Sequence, residues 1–216
     1  MRECSNLIIK VCGLTRQEDA TLCQKMKVDL AGFIFHPKSP RCIDPAAAAK
    51  IDTGPLMRVG VFVEQSVKEV LSVMDQARLH LAQLHGGQDP DFCARVGKTR
   101  VMRVFWPARY GSRQELEKEL IRFVPCSRFF LFDGGGYGGG HGQPWNYSLL
   151  KGLETYKTWF LAGGLGPGRI KDALASCDPC GLDLNSGVES APGIKDEDKL
   201  EKALAELCLA KGRITA

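Results

Sequence analysis

The chain has 216 residues, 44% of them hydrophobic and 25% charged, with a formal net charge of +4. That length and apolar content suit one globular domain spanning 1–216 and fall within the range of a single α/β barrel. Dispersed lysines and arginines with only 8% aromatics argue against nucleic acid, and no apolar run approaches the roughly 20 residues of a membrane span.

The first residues lack the long apolar segment of a signal peptide, so a cytoplasmic location is expected. Nine cysteines, an odd number, are read as free thiols in a reducing compartment, mostly small buried apolar groups.

Along the chain, strand-like and helix-like stretches alternate from end to end. Strands are expected at 7–12, 29–35, 57–63, 80–84, 99–105, 128–133, 158–162 and 180–185. Helices are expected at 16–27, 44–52, 66–77, 89–96, 112–123, 145–152, 167–176 and 196–210, with start signals at Thr15, Asp44-Pro45 and Gly166-Pro167. Roughly eight βα units predict a closed parallel barrel rather than an open sheet, a single (β/α)8 TIM barrel.

In such a barrel the site lies at the C-terminal ends of the strands. Cys12 ends the first strand and Asp133 the sixth. A thiol and a carboxyl at one mouth form a candidate acid/base pair, one taking a proton as thiolate and the other giving one as carboxylic acid. Side chains two apart share a strand face, which groups Lys10 with Cys12, Gln83 with His85, Leu131 with Asp133 and Asp183 with Asn185. The first and last strands become neighbours on closure, so Lys10 and Asp183 are expected to pair below the site. A plain inward ion pair with no catalytic part is the alternative.

Gly163-Gly164 follows the seventh strand and Ser186-Gly187 the eighth, the usual phosphate position in this architecture. Ordinary turns would explain either loop alone. The segment from Gly32 to Arg41 closes the second unit, and its prolines are expected to stiffen a loop carrying Lys38 and Arg41 over the mouth. Arginine offers a planar fork for carboxylate or phosphate. His85 ends the fourth strand and is expected to line the site, whereas His80 is read as structural. The glycine run at 134–142 is read as a loop closing over substrate or as a plain surface turn. Cys177 and Cys180 have C-x-x-C spacing, but no second pair or histidine is spaced for a metal, and no metal is expected.

Several segments occur together in order: Lys10-Val11-Cys12-Gly13-Leu14-Thr15, the Gly32 to Arg41 segment, Val59-Gly60-Val61-Phe62-Val63, Gln83-Leu84-His85-Gly86, and Asp133 with Gly139-Gly140-His141-Gly142. Leu161-Ala162-Gly163-Gly164-Leu165 and Asp183-Leu184-Asn185-Ser186-Gly187-Val188-Glu189 follow. Over nearly its whole length the chain resembles the phosphoribosylanthranilate isomerases of tryptophan biosynthesis, whose fold is a (β/α)8 barrel. The resemblance implies that Cys12 is the general base and Asp133 the general acid. It places Arg41 against the anthranilate carboxylate and Gly163, Gly164, Ser186 and Gly187 around the phosphate. The chain departs from the family pattern at Gly87-Gln88, where an acidic pair is common, at Glu64, where asparagine is common, and over 141–146.

The implied reaction is an Amadori rearrangement of N-(5-phosphoribosyl)anthranilate, needing no metal, nucleotide or redox cofactor and no nucleic acid or membrane; monomer or homodimer is left open. Other readings are another phosphosugar barrel, such as an indole-glycerol-phosphate synthase or a pentose-phosphate epimerase, and a non-catalytic phosphosugar-binding barrel. The first two need catalysts or metal ligands absent from the pattern. The third has no reason to keep both Cys12 and Asp133.

Overall fold

The structure is a computed structural model that describes residues 7–134 and 149–211. Eight parallel strands close in sequence order: β1 (Ile8–Val11), β2 (Leu30–Ile34), β3 (Met57–Phe62), β4 (Leu81–Leu84), β5 (Val101–Phe105), β6 (Phe129–Asp133), β7 (Trp159–Ala162) and β8 (Gly181–Leu184). The expected (β/α)8 barrel is therefore present. All strands but β3 begin one or two residues later than expected, because leading residues such as Asp29, His80 and Arg128 belong to the preceding turns, and β1, β2, β3 and β8 end one residue earlier.

Two apolar clusters follow from the alternation of side chains along each strand. Leu30, Val59, Leu81, Met102, Val104, Leu131 and Phe160 fill the barrel interior, while Ile9, Val11, Phe33, Phe62, Phe105, Phe130, Phe132 and Leu182 face the helical ring. Among the described residues the ring comprises α1 (Gln17–Lys25), α2 (Pro45–Lys50), α3 (Val67–Gln76), α4 (Pro90–Val96), α5 (Arg113–Phe123), α6 (Ile170–Ser176) and α7 (Glu197–Lys211). A hairpin of β9 (Glu189–Ala191) and β10 (Ile194–Lys195) lies between β8 and α7.

Asp44 caps α2 as expected, its carboxylate accepting from the Ala46 and Ala47 N–H groups. Two start signals are corrected. Thr15 does not cap α1: its hydroxyl donates to the Gly193 carbonyl, 2.8 Å away, and the cap position falls to Arg16. Gly166-Pro167 do not begin α6, which starts at Ile170 after a glycine-rich turn. The helix expected at 145–152 and the glycine run at 134–142 lie largely outside the described residues. The expectation of free thiols holds at Cys12, Cys23, Cys42, Cys93, Cys126, Cys177 and Cys208. It fails at Cys180, which is disulfide-bonded. Because Cys177 is a free thiol, the two do not form a C-x-x-C redox couple.

Arg58, on the outer face of β3, is 7% exposed. It donates to the carbonyls of Ala48 and Ile51 at the end of α2 and of Ala77 at the end of α3. Helix ends leave such carbonyls without partners, and one guanidinium satisfies three of them.

The seam between β1 and β8 sets Lys10 beside Asp183 in register. Lys10 Nζ donates to both Asp183 carboxylate oxygens at 2.8 Å inside the barrel. We predict that Lys10→Met, which strands the buried carboxylate, lowers the unfolding free energy by about 3–5 kcal/mol. Lys10→Met with Asp183→Leu recovers most of that loss. Urea unfolding followed by circular dichroism measures both, and a double variant no more stable than Lys10→Met rejects the pair as the cause.

Candidate active site

Cys12 follows β1 at the C-terminal mouth, held there by its N–H, which donates to the Leu184 carbonyl at 2.8 Å. Its side chain is buried, with Ile34 and Val61 as apolar neighbours. The bare Cα of Gly32 makes room for it, since a Cβ there would come within 2.9 Å of Sγ. Burial pushes the Cys12 thiol above its ordinary range, and the charge of Lys10 offsets only part of this. Lys10 itself keeps its proton firmly: burial works against the charge, but Asp183 and Cys12 more than compensate.

Asp133 ends β6 opposite Ala162 of β7. His85 Nε2 lies 3.4 Å from Asp133 Oδ2. His85 Nδ1 is 3.2 Å from the Gln83 side-chain nitrogen, so the two residues share a face as expected. The Gln83 amide donating to Nδ1 leaves the ring proton on Nε2, aimed at Asp133. Burial lowers the His85 pKa to about 4, with Lys10, Arg103 and Arg109 adding to the effect and Asp183 opposing it. Trp106 packs edge-on against the His85 ring at 5.2 Å. Asp183 joins the two halves of the mouth: it is bonded to Lys10 beneath Cys12 and couples electrostatically to both Asp133 and His85. The structure thus brings Cys12, Lys10, Asp183, His85 and Asp133 to one end of the barrel.

Arg41 and Lys38 part company. Lys38 is 77% exposed and lies 3.6 Å from Glu64, in the loop after β3. Arg41 reaches inward across Gly13, next to Cys12, where a Cβ would come within 2.7 Å of its Cδ. Its Nε and Nη2 donate to the Glu189 carboxylate at 2.7–3.0 Å.

The loops after β7 and β8 touch backbone to backbone. Gly163 and Gly164 have φ of +112° and +68°, the region that favours glycine. A Cβ on Gly187 would sit 2.1 Å from the Leu165 carbonyl oxygen, and one on Gly166 would sit 2.4 Å from that of Gly187. Ser186 is exposed at the start of a single 3-10 turn, Ser186–Val188. This geometry leaves peptide groups of both loops close to one another beside the mouth. Backbone amides so exposed suit an anion. His80 is at the opposite end of β4, where its Nδ1 accepts the Arg58 N–H. Among the described residues, no group of histidine, cysteine and acidic side chains could hold a metal ion, and no helix is long and apolar enough to cross a membrane.

Sequence reasoning overlooked Trp106 and Lys195, placed Asn185 on a strand face with Asp183 without giving it a role, and took Glu189 only as part of a motif. The one signal available was the motif itself, which places Glu189 four residues after Asn185.

Residues 9–206 match the family model described as N-(5'phosphoribosyl)anthranilate (PRA) isomerase. A relative from Maridesulfovibrio salexigens, named N-(5'-phosphoribosyl)anthranilate isomerase, is 47% identical over 202 residues, covering 94% of this chain and 98% of the relative. The same name belongs to a Desulfovibrio desulfuricans relative, 47% identical over 206 residues, covering 95% of this chain and 98% of the relative. Among solved structures, the phosphoribosyl anthranilate isomerase of Thermus thermophilus superposes with a TM-score of 0.81 at 38% identity, covering 94% of this chain and 99% of that one. Another, described as a phosphoribosyl anthranilate isomerase in complex with reduced 1-(o-carboxyphenylamino)-1-deoxyribulose 5-phosphate, superposes with a TM-score of 0.80 at 29% identity. It covers 96% of this chain and all of the other.

The depressed His85 pKa generates a prediction. Between about pH 4 and 6.5 the unfolded chain protonates this histidine and the folded one does not. Stability therefore rises with pH across that window and falls as acid is added. His85→Asn should flatten this part of the stability–pH curve, and ring nitrogen shifts should report a neutral His85 at pH 5.5. A ring that titrates near 6.5 in the folded protein contradicts the assignment.

Proposed function

Because the chain belongs to the N-(5'-phosphoribosyl)anthranilate isomerase family, we propose that Cys12 and Asp133 are the base and acid of its rearrangement. The enzyme is an aldose–ketose isomerase of tryptophan biosynthesis. The observation that carries the residue assignment is the convergence of these two groups on one mouth, linked beneath through Lys10, Asp183 and His85.

The substrate, N-(5-phosphoribosyl)anthranilate, is a cyclic aminoaldose. Asp133 delivers a proton to the furanose ring oxygen as the C1–O bond breaks, and the nitrogen lone pair forms the C1=N bond of a Schiff base. Cys12 as thiolate then removes the proton from C2, and its electron pair moves to give an enolamine. Tautomerisation of the enolamine to the C2 ketone completes 1-(2-carboxyphenylamino)-1-deoxyribulose 5-phosphate. No electron acceptor enters or leaves. His85, neutral and presenting Nε2–H, steadies the carboxylate left after the first transfer. The charge of Lys10 reduces the cost of the Cys12 thiolate, while burial keeps water from competing for the C2 proton.

Arg41 is assigned to the anthranilate carboxylate. The backbone amides around Gly163, Gly164, Ser186 and Gly187 are assigned to the phosphate, with His85 as a further substrate contact. The phosphate does not react, so its contacts anchor ground state and transition state alike.

Phosphoribosylanthranilate fluorescence, followed as it decays, tests the acid and base. Cys12→Ser and Asp133→Asn are each expected to lose about 10²–10⁴-fold in kcat with circular dichroism unchanged. Asp133→Asn within a few-fold of the parent would remove Asp133 from the role of acid.

The phosphate loops call for a gentle substitution, because Gly187→Val meets the Leu165 carbonyl and disturbs the backbone. Gly164→Ala meets only the end of the Arg169 side chain, at 3.3 Å, and costs about 1–2 kcal/mol of backbone strain. It should raise KM more than it lowers kcat and weaken inhibition by inorganic phosphate. A fall in kcat with KM and phosphate inhibition at parent values rejects the anchor.

A further inference from the structure

We propose that Glu189, clamped by Lys195, is a positioning residue that fixes the Arg41 guanidinium to receive the substrate's aromatic carboxylate. This rests on the assignment of Arg41 given above. The Glu189 side chain is 4% exposed and takes four donors: Arg41 through Nε and Nη2, Lys195 Nζ at 2.7 Å and the Gly193 N–H at 3.2 Å. Lys195, whose side chain is fully buried, is fixed a second time by Asn185 Oδ1 at 3.1 Å. The Asn185 oxygen and the Arg41 stem both press on the bare Cα of Gly13, the residue after Cys12. The cluster is therefore built against the reacting end of the barrel.

A buried triad of charges is costly, and the hairpin does not need one to stay in place. Thr15 already holds Gly193, and Lys199 Nζ donates to the Glu189 backbone carbonyl at 2.7 Å. The arrangement does solve a problem of anion binding. A lone long arginine loses rotamer freedom when it closes on a ligand, and a carboxylate that fixes it beforehand removes that loss. A carboxylate alone would also neutralise the arginine. Lys195 restores one net positive charge to the group. Arg41 Nη1 takes no part in the Glu189 fork.

The test uses two stable ligands: the reduced product 1-(o-carboxyphenylamino)-1-deoxyribitol 5-phosphate and its counterpart lacking the aromatic carboxyl. The ratio of their dissociation constants reads carboxylate recognition alone. The decisive protein is the Glu189→Gln, Lys195→Met double variant, which removes both buried charges together and leaves one acceptor oxygen where the Arg41 fork uses two. It keeps one net positive charge, on Arg41, so long-range attraction is retained while the clamp is lost. Its preference for the carboxylated ligand should fall roughly tenfold, with affinity for the other ligand unchanged and the melting curve cooperative. Lys195→Met alone keeps the fork but makes the cluster neutral, and should also lose preference. Lys195 also eases ionisation of Cys12, so kcat is free to fall in both variants and the ratio of dissociation constants carries the test. If Arg41→Ala abolishes the preference and both clamp variants retain it, Arg41 works without positioning and the inference is overturned. If Arg41→Ala itself retains the preference, the assignment of Arg41 fails and takes this inference with it.

Discussion

The ion pair between Lys10 and Asp183 sits where the barrel closes on itself, and most of the site is arranged around it. Closure brings the first and last strands into register with one buried cation opposite one buried anion. The pair is neutral as a unit, which makes it tolerable inside the barrel. Each member also faces outward along the mouth, Lys10 toward Cys12 and Asp183 toward Asp133 and His85. The ends of β1, β4, β6 and β8 are thereby joined electrically as well as by hydrogen-bonded sheet.

Burial and charge pull the thiol in opposite directions, and burial prevails. A thiol that stays protonated until needed is protected from oxidation and alkylation, both of which require thiolate. The compensation is held close by. Lys10 and, more weakly, Lys195 both ease the charge on the sulfur. His85 follows the same logic with opposite sign: burial keeps its imidazole neutral, so it serves Asp133 as a hydrogen-bond donor rather than as a second cation.

The parts readable in the sequence are those governed by periodicity. Strand alternation placed Lys10 with Cys12 and Gln83 with His85, and strand order placed Lys10 against Asp183. The register and distances agree with both. Where loops decide position, the pattern carried no such information. Lys38 and Arg41 are three residues apart on one stiff loop, yet one meets solvent and the other crosses Gly13. Thr15 looked like a cap because hydroxyls cap helices, but a carbonyl 178 residues away competed for it. Lys195 and Arg58 were passed over because charged side chains normally signal solvent. Both are buried because enough oxygen atoms converge on them, a long-range coincidence that no local pattern encodes.

The meeting of Gly166 and Gly187 bears on how this mouth can change over time. With a Cβ excluded at both positions, the distance between the two loops is a property of peptide planes in contact. Rotamer choice has no purchase on it, and single substitutions cannot tune it by degrees. The opening between the seventh and eighth strands can widen or narrow only if the strands themselves shift, which the closed sheet resists. Divergence in ligand preference is thereby channelled to the side chains elsewhere around the mouth, such as Arg41, His85 and Trp106.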